Sequence, residues 1–394
     1  MRRVGLAMVL MAAAAGCARQ QRLVEPTRAI WVTRFDYKSA ADVRRIVENC
    51  ADAGFNAVLF QVRGNATAFY DSAYEPWADE LGGRDPGFDP LALACELAHQ
   101  RGMQLHAWVN VMPAWRGTTP PSNPQQVYNR HPEWLWYDQH GQRQALSSFY
   151  VSLNPCLPEV RQYLVEVFAD LVGRYPVDGL HLDYIRFPNE PPATPRGSGL
   201  DYPRDARTLA LYRAATGLAP DDDPQAWNRW RTGQVTELVR QIHSMMREVR
   251  PQAALTAAVG SVRERALSHF QDADTWLREG LLDAAVLMDY TDDVEVFRQR
   301  IEPWLAAGYE APIVPGLWFG RHRDKSTRAA ALVVKRQIEI ARELTGNFCL
   351  FAYSSLFDSS DEGVLSSQDE TQRELRRVRR EVLLPVLREL AAGS

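Results

Sequence analysis

Eight short apolar, β-branched runs, nearly all followed by a stretch of helical periodicity, constrain this chain more than any other feature. The runs are Ala29–Arg34, Ala57–Arg63, Gln104–Val111, Val177–Arg186, Ala253–Ser261, Ala284–Tyr290, Pro312–Phe319 and Phe348–Ser354. The helical stretches cover 39–53, 89–102, 159–174, 224–250, 264–280, 293–307, 327–345 and 368–391. Gly54, Gly102 and Gly346 fall just past helical stretches, where C-cap glycines belong. Alternation in one order predicts a parallel sheet, and eight units are the number that closes a (β/α)8 barrel, an α/β fold of the TIM type. Residues 28–391 are therefore read as one domain, a length such barrels use routinely.

Two connections are long, about 112–158 after the third run and 188–223 after the fourth, both rich in Pro, Gly, Asn and aromatics. In a barrel the segments that follow strands lie on the C-terminal face, where sites are assembled, so these two are expected to wall a cleft.

The fourth run carries the densest chemistry: Val177-Asp178-Gly179-Leu180-His181-Leu182-Asp183-Tyr184-Ile185-Arg186-Phe187-Pro188. Strand alternation turns Leu180 and Leu182 to the helices, and His181 and Asp183 to the barrel interior. A buried aspartate is costly unless paired or used, and Asp183 stands near the strand end where barrel enzymes place catalytic groups. Arg186 is its nearest cation in sequence, while Asp178 starts the strand and reads as a turn or cap residue. The sixth run ends on Asp289, two strands away, which offers a second carboxyl. Glycoside hydrolysis needs such a pair, one to protonate the leaving oxygen and one to attack carbon or activate water. Glu75, Glu190 and Asp292 on top loops are reserves for the acid.

Other strand ends carry groups suited to sugars. Gln61 and Arg63 end the second run on one face, Trp108 and Asn110 the third, Trp318 the seventh and Tyr353 the eighth. With His181 and Arg186 they are the expected substrate-binding set, since amides and guanidinium groups hydrogen-bond hydroxyls and aromatic rings stack on pyranoses. The Trp134-Leu135-Trp136-Tyr137 run is expected to add a stacking platform.

No strand ends in H-x-H, and there is no H-E-x-x-H, G-x-S-x-G or phosphate loop. His99, His131, His140 and His322 lack ligand spacing, so no metal or organic cofactor is implied. A net charge of −4 leaves no basic footprint for nucleic acid. Cys50, Cys95, Cys156 and Cys349 have no spacing that points to zinc or a disulfide and are read as buried thiols.

The first residues read as a processing signal. Arg2 and Arg3 precede the apolar stretch Val4–Ala15, and Ala14, Ala15 and Gly16 stand before Cys17. This resembles the lipobox of bacterial lipoproteins, which implies cleavage after residue 16, a lipid on Cys17 and a linker over 17–27. Ala18, not aspartate, then favours the periplasmic face of the outer membrane. No other run is long enough to span a bilayer, so the expectation is a chain anchored to a membrane, not through it.

Several ordered motifs carry a wider resemblance. Arg28-Ala29-Ile30-Trp31-Val32-Thr33-Arg34, Gly54-Phe55-Asn56-Ala57-Val58, Gln61-Val62-Arg63-Gly64 and Phe88-Asp89-Pro90-Leu91 open it. His99-Gln100-Arg101-Gly102-Met103, Ala107-Trp108-Val109-Asn110, His131-Pro132-Glu133-Trp134, Leu153-Asn154-Pro155, the fourth run and Trp276–Asp283 continue it. Over roughly residues 28–355 the chain resembles the bacterial glycosyl hydrolase-like 10 family. The resemblance implies a TIM barrel, glycosidase activity and Asp183 in the active site, and it points to lipoproteins that cut peptidoglycan strands stripped of stem peptides. The fourth run is superficially similar to the D-G-x-D-x-D-x-E pattern of family 18 chitinases, but His181 and Ile185 stand at the second aspartate and the glutamate. The substrate-assisted mechanism that needs that glutamate is not expected. The working assignment is Asp183 as nucleophile or base and Asp289 as acid with a raised pKa. The rival readings are a glycan-binding lipoprotein without turnover and a hydrolase of a non-wall polysaccharide.

Overall fold

The computed structural model describes residues 23–187, 199–321, 326–359 and 369–393. Cys17 and Glu190 lie outside the described residues. In chain order the elements begin β1 (Arg28–Val32), α1 (Ala40–Ala53), β2 (Ala57–Arg63), α2 (Pro90–Gln100) and β3 (Gln104–Asn110). There follow β4 (Pro113–Gly117), α3 (Val127–Arg130), β5 (Ser147–Ser152), α4 (Pro158–Arg174), β6 (Gly179–Asp183), α5 (Ala206–Thr216) and α6 (Pro224–Val249). The last part holds β7 (Ala254–Gly260), α7 (Arg263–Leu267), α8 (Ala273–Arg278), β8 (Ala284–Met288) and α9 (Val294–Ala306). It ends with β9 (Ile313–Trp318), α10 (Thr327–Thr345), β10 (Phe348–Phe351) and α11 (Asp369–Ala392).

Eight strands close in the order β1-β10-β9-β8-β7-β6-β3-β2, all parallel, with β4 and β5 paired as a separate antiparallel ribbon in the long connection after β3. The chain is thus a TIM barrel. Strand alternation divides the core as the pleat requires. On β1, Ile30 and Val32 join the layer beneath the helices, while Ala29 and Trp31 face inward with Leu59, Val286, Val314 and Cys349. Helix starts follow local capping chemistry: Ser39 and Asp42 form a capping box on α1, and Asp89 and Asp223 cap helices that open with proline. Gly54 and Gly346 are left-handed C-caps, and Gly102 follows one residue beyond the cap of α2.

Three expectations are corrected. The segment 264–280 is two short helices, not one, and the long connections contain the β4–β5 ribbon and α5. The run at 348–354 is a strand only to Phe351, after which a tight turn over Tyr353–Ser355 leaves the barrel. The four cysteines after residue 17 are buried and free, and burial pushes every one of their thiols above the ordinary range. Among the described residues, no helix is long and apolar enough to cross a membrane.

Candidate active site

The barrel interior below the cleft is closed by a polar chain. Trp31 Nε1 donates to His181 Nε2 at 3.1 Å, so His181 Nδ1 carries the proton and donates to Thr256 Oγ1 at 2.9 Å. Burial pushes His181 down to about 3, so it is neutral and fully engaged. His181 is therefore a pillar under the site, not the sugar-binding group expected from its place beside Asp183. Gly179, at the other end of β6, is required by packing: a Cβ there would lie 2.1 Å from His106 Nδ1. Asp178 stays at the base, where its Oδ2 accepts from Leu105 N and meets His99 Nε2, both at 2.8 Å.

A cavity of about 930 Å³ opens at the C-terminal ends of the strands. Gln61, Trp108, Asn110, Asp183, Arg186 and Trp318 line it, as expected from their strand ends. Register explains the central group, because Asn110 pairs with Asp183 and Trp108 with His181 across β3 and β6. Gln61 accepts from Arg34 N at 3.0 Å and donates to Asn110 Oδ1 at 3.1 Å, and Asn110 Nδ2 donates to Gly64 O at 3.0 Å. These two amides make a braced floor, and each keeps one N–H beyond the bonds named.

Asp183 is 8% exposed, and its Oδ1 accepts from Tyr184 N at 2.6 Å. Burial raises its carboxyl above the usual carboxylate range, against opposing pulls from Arg186, the Tyr184 N–H and the Trp108 indole. The indole N–H is buried without a well-formed hydrogen bond, so it acts as a nearby dipole. Tyr184 has φ +50, a left-handed conformation that costs a non-glycine residue on the order of 1 kcal/mol. Its ring meets Tyr150 edge-on at 5.0 Å. Opposite, Tyr290 lies 5.3 Å from Trp318 and 5.8 Å from Phe351, giving an aromatic wall. The Tyr290 hydroxyl is pushed well up, first by burial and then by Asp183.

Other expected members are not brought to the cleft. Asp289 is fully buried behind its wall, its Oδ1 3.1 Å from Arg300 Nη1, because β8 ends at Met288 and the chain turns before the carboxyl can face the mouth. Desolvation raises it to about 6 against the pull of Arg300. Asp292, three residues on, does line the cleft. Arg63 is turned away by a register shift between Gln61 and Arg63 that breaks the alternation on β2. Its guanidinium is buried on Glu75 at 2.7 Å and donates to the carbonyls of Asn110 and Val111. Glu75 also accepts from Tyr163 Oη at 2.9 Å, which removes it from the reserve acids. Tyr353 follows the turn after β10 toward α1, where its hydroxyl accepts from Asn49 Nδ2 at 2.8 Å. Nor does the Trp134–Tyr137 run form a platform: Trp134 stacks on His131 at 3.8 Å and Trp136 donates to Leu153 O, fastening the long loop.

Cleft residues that strand reasoning did not find come from outside the barrel strands: Arg34 and Tyr184 just past β1 and β6, Tyr150 on β5, Arg265 on α7, His269 after it and Arg300 on α9. Arg34 is held by Glu80 at 2.9 Å and by Tyr150 Oη at 3.2 Å, and Gly64 makes room for it, since a Cβ there would lie 2.6 Å from the guanidinium.

The sequence profile of the glycosyl hydrolase-like 10 family matches residues 26–325. This chain belongs to that family. It is 26% identical over 313 residues to glycosyl hydrolase DigH of Escherichia coli K12, an alignment covering 68% of this chain and 66% of that protein. It is 27% identical over 260 residues to glycosyl hydrolase YngK of Bacillus subtilis, covering 61% of this chain and 46% of YngK. The match to this family member therefore reaches just under two thirds of DigH and under half of YngK. Among solved structures, the PgaB (BpsB) glycoside hydrolase domain of Bordetella bronchiseptica superposes with a TM-score of 0.62 at 15% identity, over 90% of this chain and 98% of that one. An alpha-L-fucosidase of Paenibacillus thiaminolyticus gives 0.57 at 15% identity, over 90% and 49%. At such identities the likeness is one of fold.

Proposed function

We propose that this family member is a glycoside hydrolase of the cell envelope that cleaves peptidoglycan glycan strands lacking stem peptides. The observation that carries the reading is Asp183 on the floor of an open, aromatic-walled cleft that a second carboxyl, Asp292, also lines. Asp183, whose carboxyl burial raises above the usual carboxylate range, is placed on the cleft floor to deliver a proton to the leaving oxygen. Asp292 takes the role of nucleophile or base, which the sequence reading gave to Asp183, and Asp183 takes the acid role that it gave to Asp289. Retention requires the carboxyls about 5–5.5 Å apart and inversion about 6.5–9.5 Å, so the anomer released reports their working separation. The aromatic wall of Trp318, Tyr290 and Phe351 suits the apolar faces of pyranose rings.

The preference for wall glycan rests on the family resemblance and on the leader, which directs the chain to the envelope and anchors it through Cys17 at the periplasmic face of the outer membrane. The test is digestion of purified glycan strands, with and without stem peptides, read by mass spectrometry. Fragments from peptide-free strands only, lost in Asp183→Asn, support the reading. Strands bound but left intact by folded protein would replace it with a binding role.

A further inference from the structure

Two of the four arginines in the cleft have carboxylate partners: Arg34 is held by Glu80 and Arg300 by Asp289. Arg186 and Arg265 are different. Arg186, just past β6, keeps its Nη1 out of solvent without a hydrogen bond, and its guanidinium lies over the Tyr184 ring at 4.9 Å. Arg265, on α7, lines the same cleft, and neither arginine forms an ion pair with a described residue. Between them stands His269, held below the ordinary histidine range first by burial and then by the charges of Arg186 and Arg265. The two guanidinium groups thus make a local excess of positive charge near Asp183, with a neutral imidazole beside them, in a chain whose net charge is −4.

A buried guanidinium N–H without an acceptor is costly, and a planar fork of donors fits a carboxylate better than it fits hydroxyls. We propose that Arg186 and Arg265 form an anion subsite, adjacent to Asp183, that takes the carboxylate of an acidic sugar. The inference rests on the function proposed above and sharpens it. In peptidoglycan the lactyl ether of the muramic unit ends in a free carboxylate when the stem peptide is absent and in a neutral amide when it is present. A subsite that reads this carboxylate selects stripped strands by charge, independently of the space a peptide would need.

The test compares three sets of oligosaccharides of matched length. The first is peptide-free glycan strands, the second the same strands with their carboxylates capped as methylamides, and the third uronic-acid oligomers. Binding is measured by calorimetry in an Asp292→Asn background and cleavage in the otherwise unaltered protein. Free-acid strands are expected to bind at least tenfold more tightly than capped ones. Arg186→Gln and Arg265→Gln are each expected to narrow that ratio by weakening the free-acid strands more than the capped ones. Arg265 is exposed on a short helix, so its variant keeps the test valid if Arg186→Gln fails to fold.

Equal binding of free and capped strands, a ratio that survives both substitutions, or no binding of any acidic oligomer overturns the subsite. Arginine-dependent discrimination without cleavage upholds the subsite and removes the hydrolase reading. Arginine-dependent preference for uronic-acid oligomers upholds the carboxylate subsite and removes the wall as substrate.

Discussion

Asp289 and Arg300 form an ion pair of 3.1 Å that spans the cleft wall, with the carboxyl wholly out of solvent and the guanidinium facing the cleft. The pair leaves one carboxylate oxygen of Asp289 without a hydrogen bond, and burial outweighs the arginine in setting its proton affinity. A carboxyl raised in the folded state binds its proton more tightly there than in the unfolded chain. Its stabilising contribution is complete below about pH 4 and is lost as pH rises through about 6. A shift of this size corresponds to roughly 3 kcal/mol. Asp289→Asn is expected to flatten the stability profile between pH 4 and 6.5, measured by urea unfolding at half-unit steps. An unchanged slope would show that the carboxyl ionises freely in the fold.

The same burial separates two aspartates that lie three residues apart. Asp292→Asn is expected to lower kcat on peptide-free strands by about 10²–10⁴-fold, the range for loss of a general acid or base. Asp289→Asn should retain at least a third of wild-type turnover at pH 7. The reverse ranking would return the second carboxyl to Asp289.

Asp183→Asn should abolish turnover to a similar extent while the protein stays folded and no less stable. The substitution removes a carboxyl that burial already disfavours as an anion and leaves Oδ1 to accept from Tyr184 N. Circular dichroism melting beside the product assay checks both halves. A variant that loses activity only because it unfolds would leave Asp183 without a catalytic assignment.

Arg63 and Glu75 are expected to matter for stability rather than for sugar binding. Their side chains are 0% and 1% exposed, so Glu75→Gln leaves a buried guanidinium unpaired and should cost about 3–5 kcal/mol. Replacing both with apolar residues of similar volume should restore much of the loss. Guanidinium chloride unfolding of the single and double variants measures the difference, and KM in folded protein should barely move.

The barrel was legible because its signals are periodic: Ile30 and Val32 against Ala29 and Trp31 declare two faces before any neighbour is known. Asp183 could be found for the same reason, since alternation along β6 holds to the strand end. Arg63, Tyr353 and Asp289 were misplaced where a strand stops obeying its period. The register shift on β2 depends on how β3 lies beside it, and the exits from β8 and β10 depend on turns whose residues carry no periodic mark. Arg265 and His269 were hidden in a stretch read as one continuous helix, whereas Arg265 sits on the short α7 and His269 in the break before α8, and both line the cleft. Arg34 lay in plain sight one residue past Thr33, but its role depends on Tyr150, more than a hundred residues away.

Leu23 packs into the barrel interior with Ala29 and Trp31, and Val24 N donates to Gln104 at the start of β3. The chain therefore enters the fold through the floor of the barrel, on the side opposite the mouth. In a protein tethered at Cys17, the six residues from the lipid to Leu23 can reach at most about 20 Å. With the proposed lipid on Cys17, so short a leash would keep the base of the barrel within reach of the bilayer and leave the mouth on its far side.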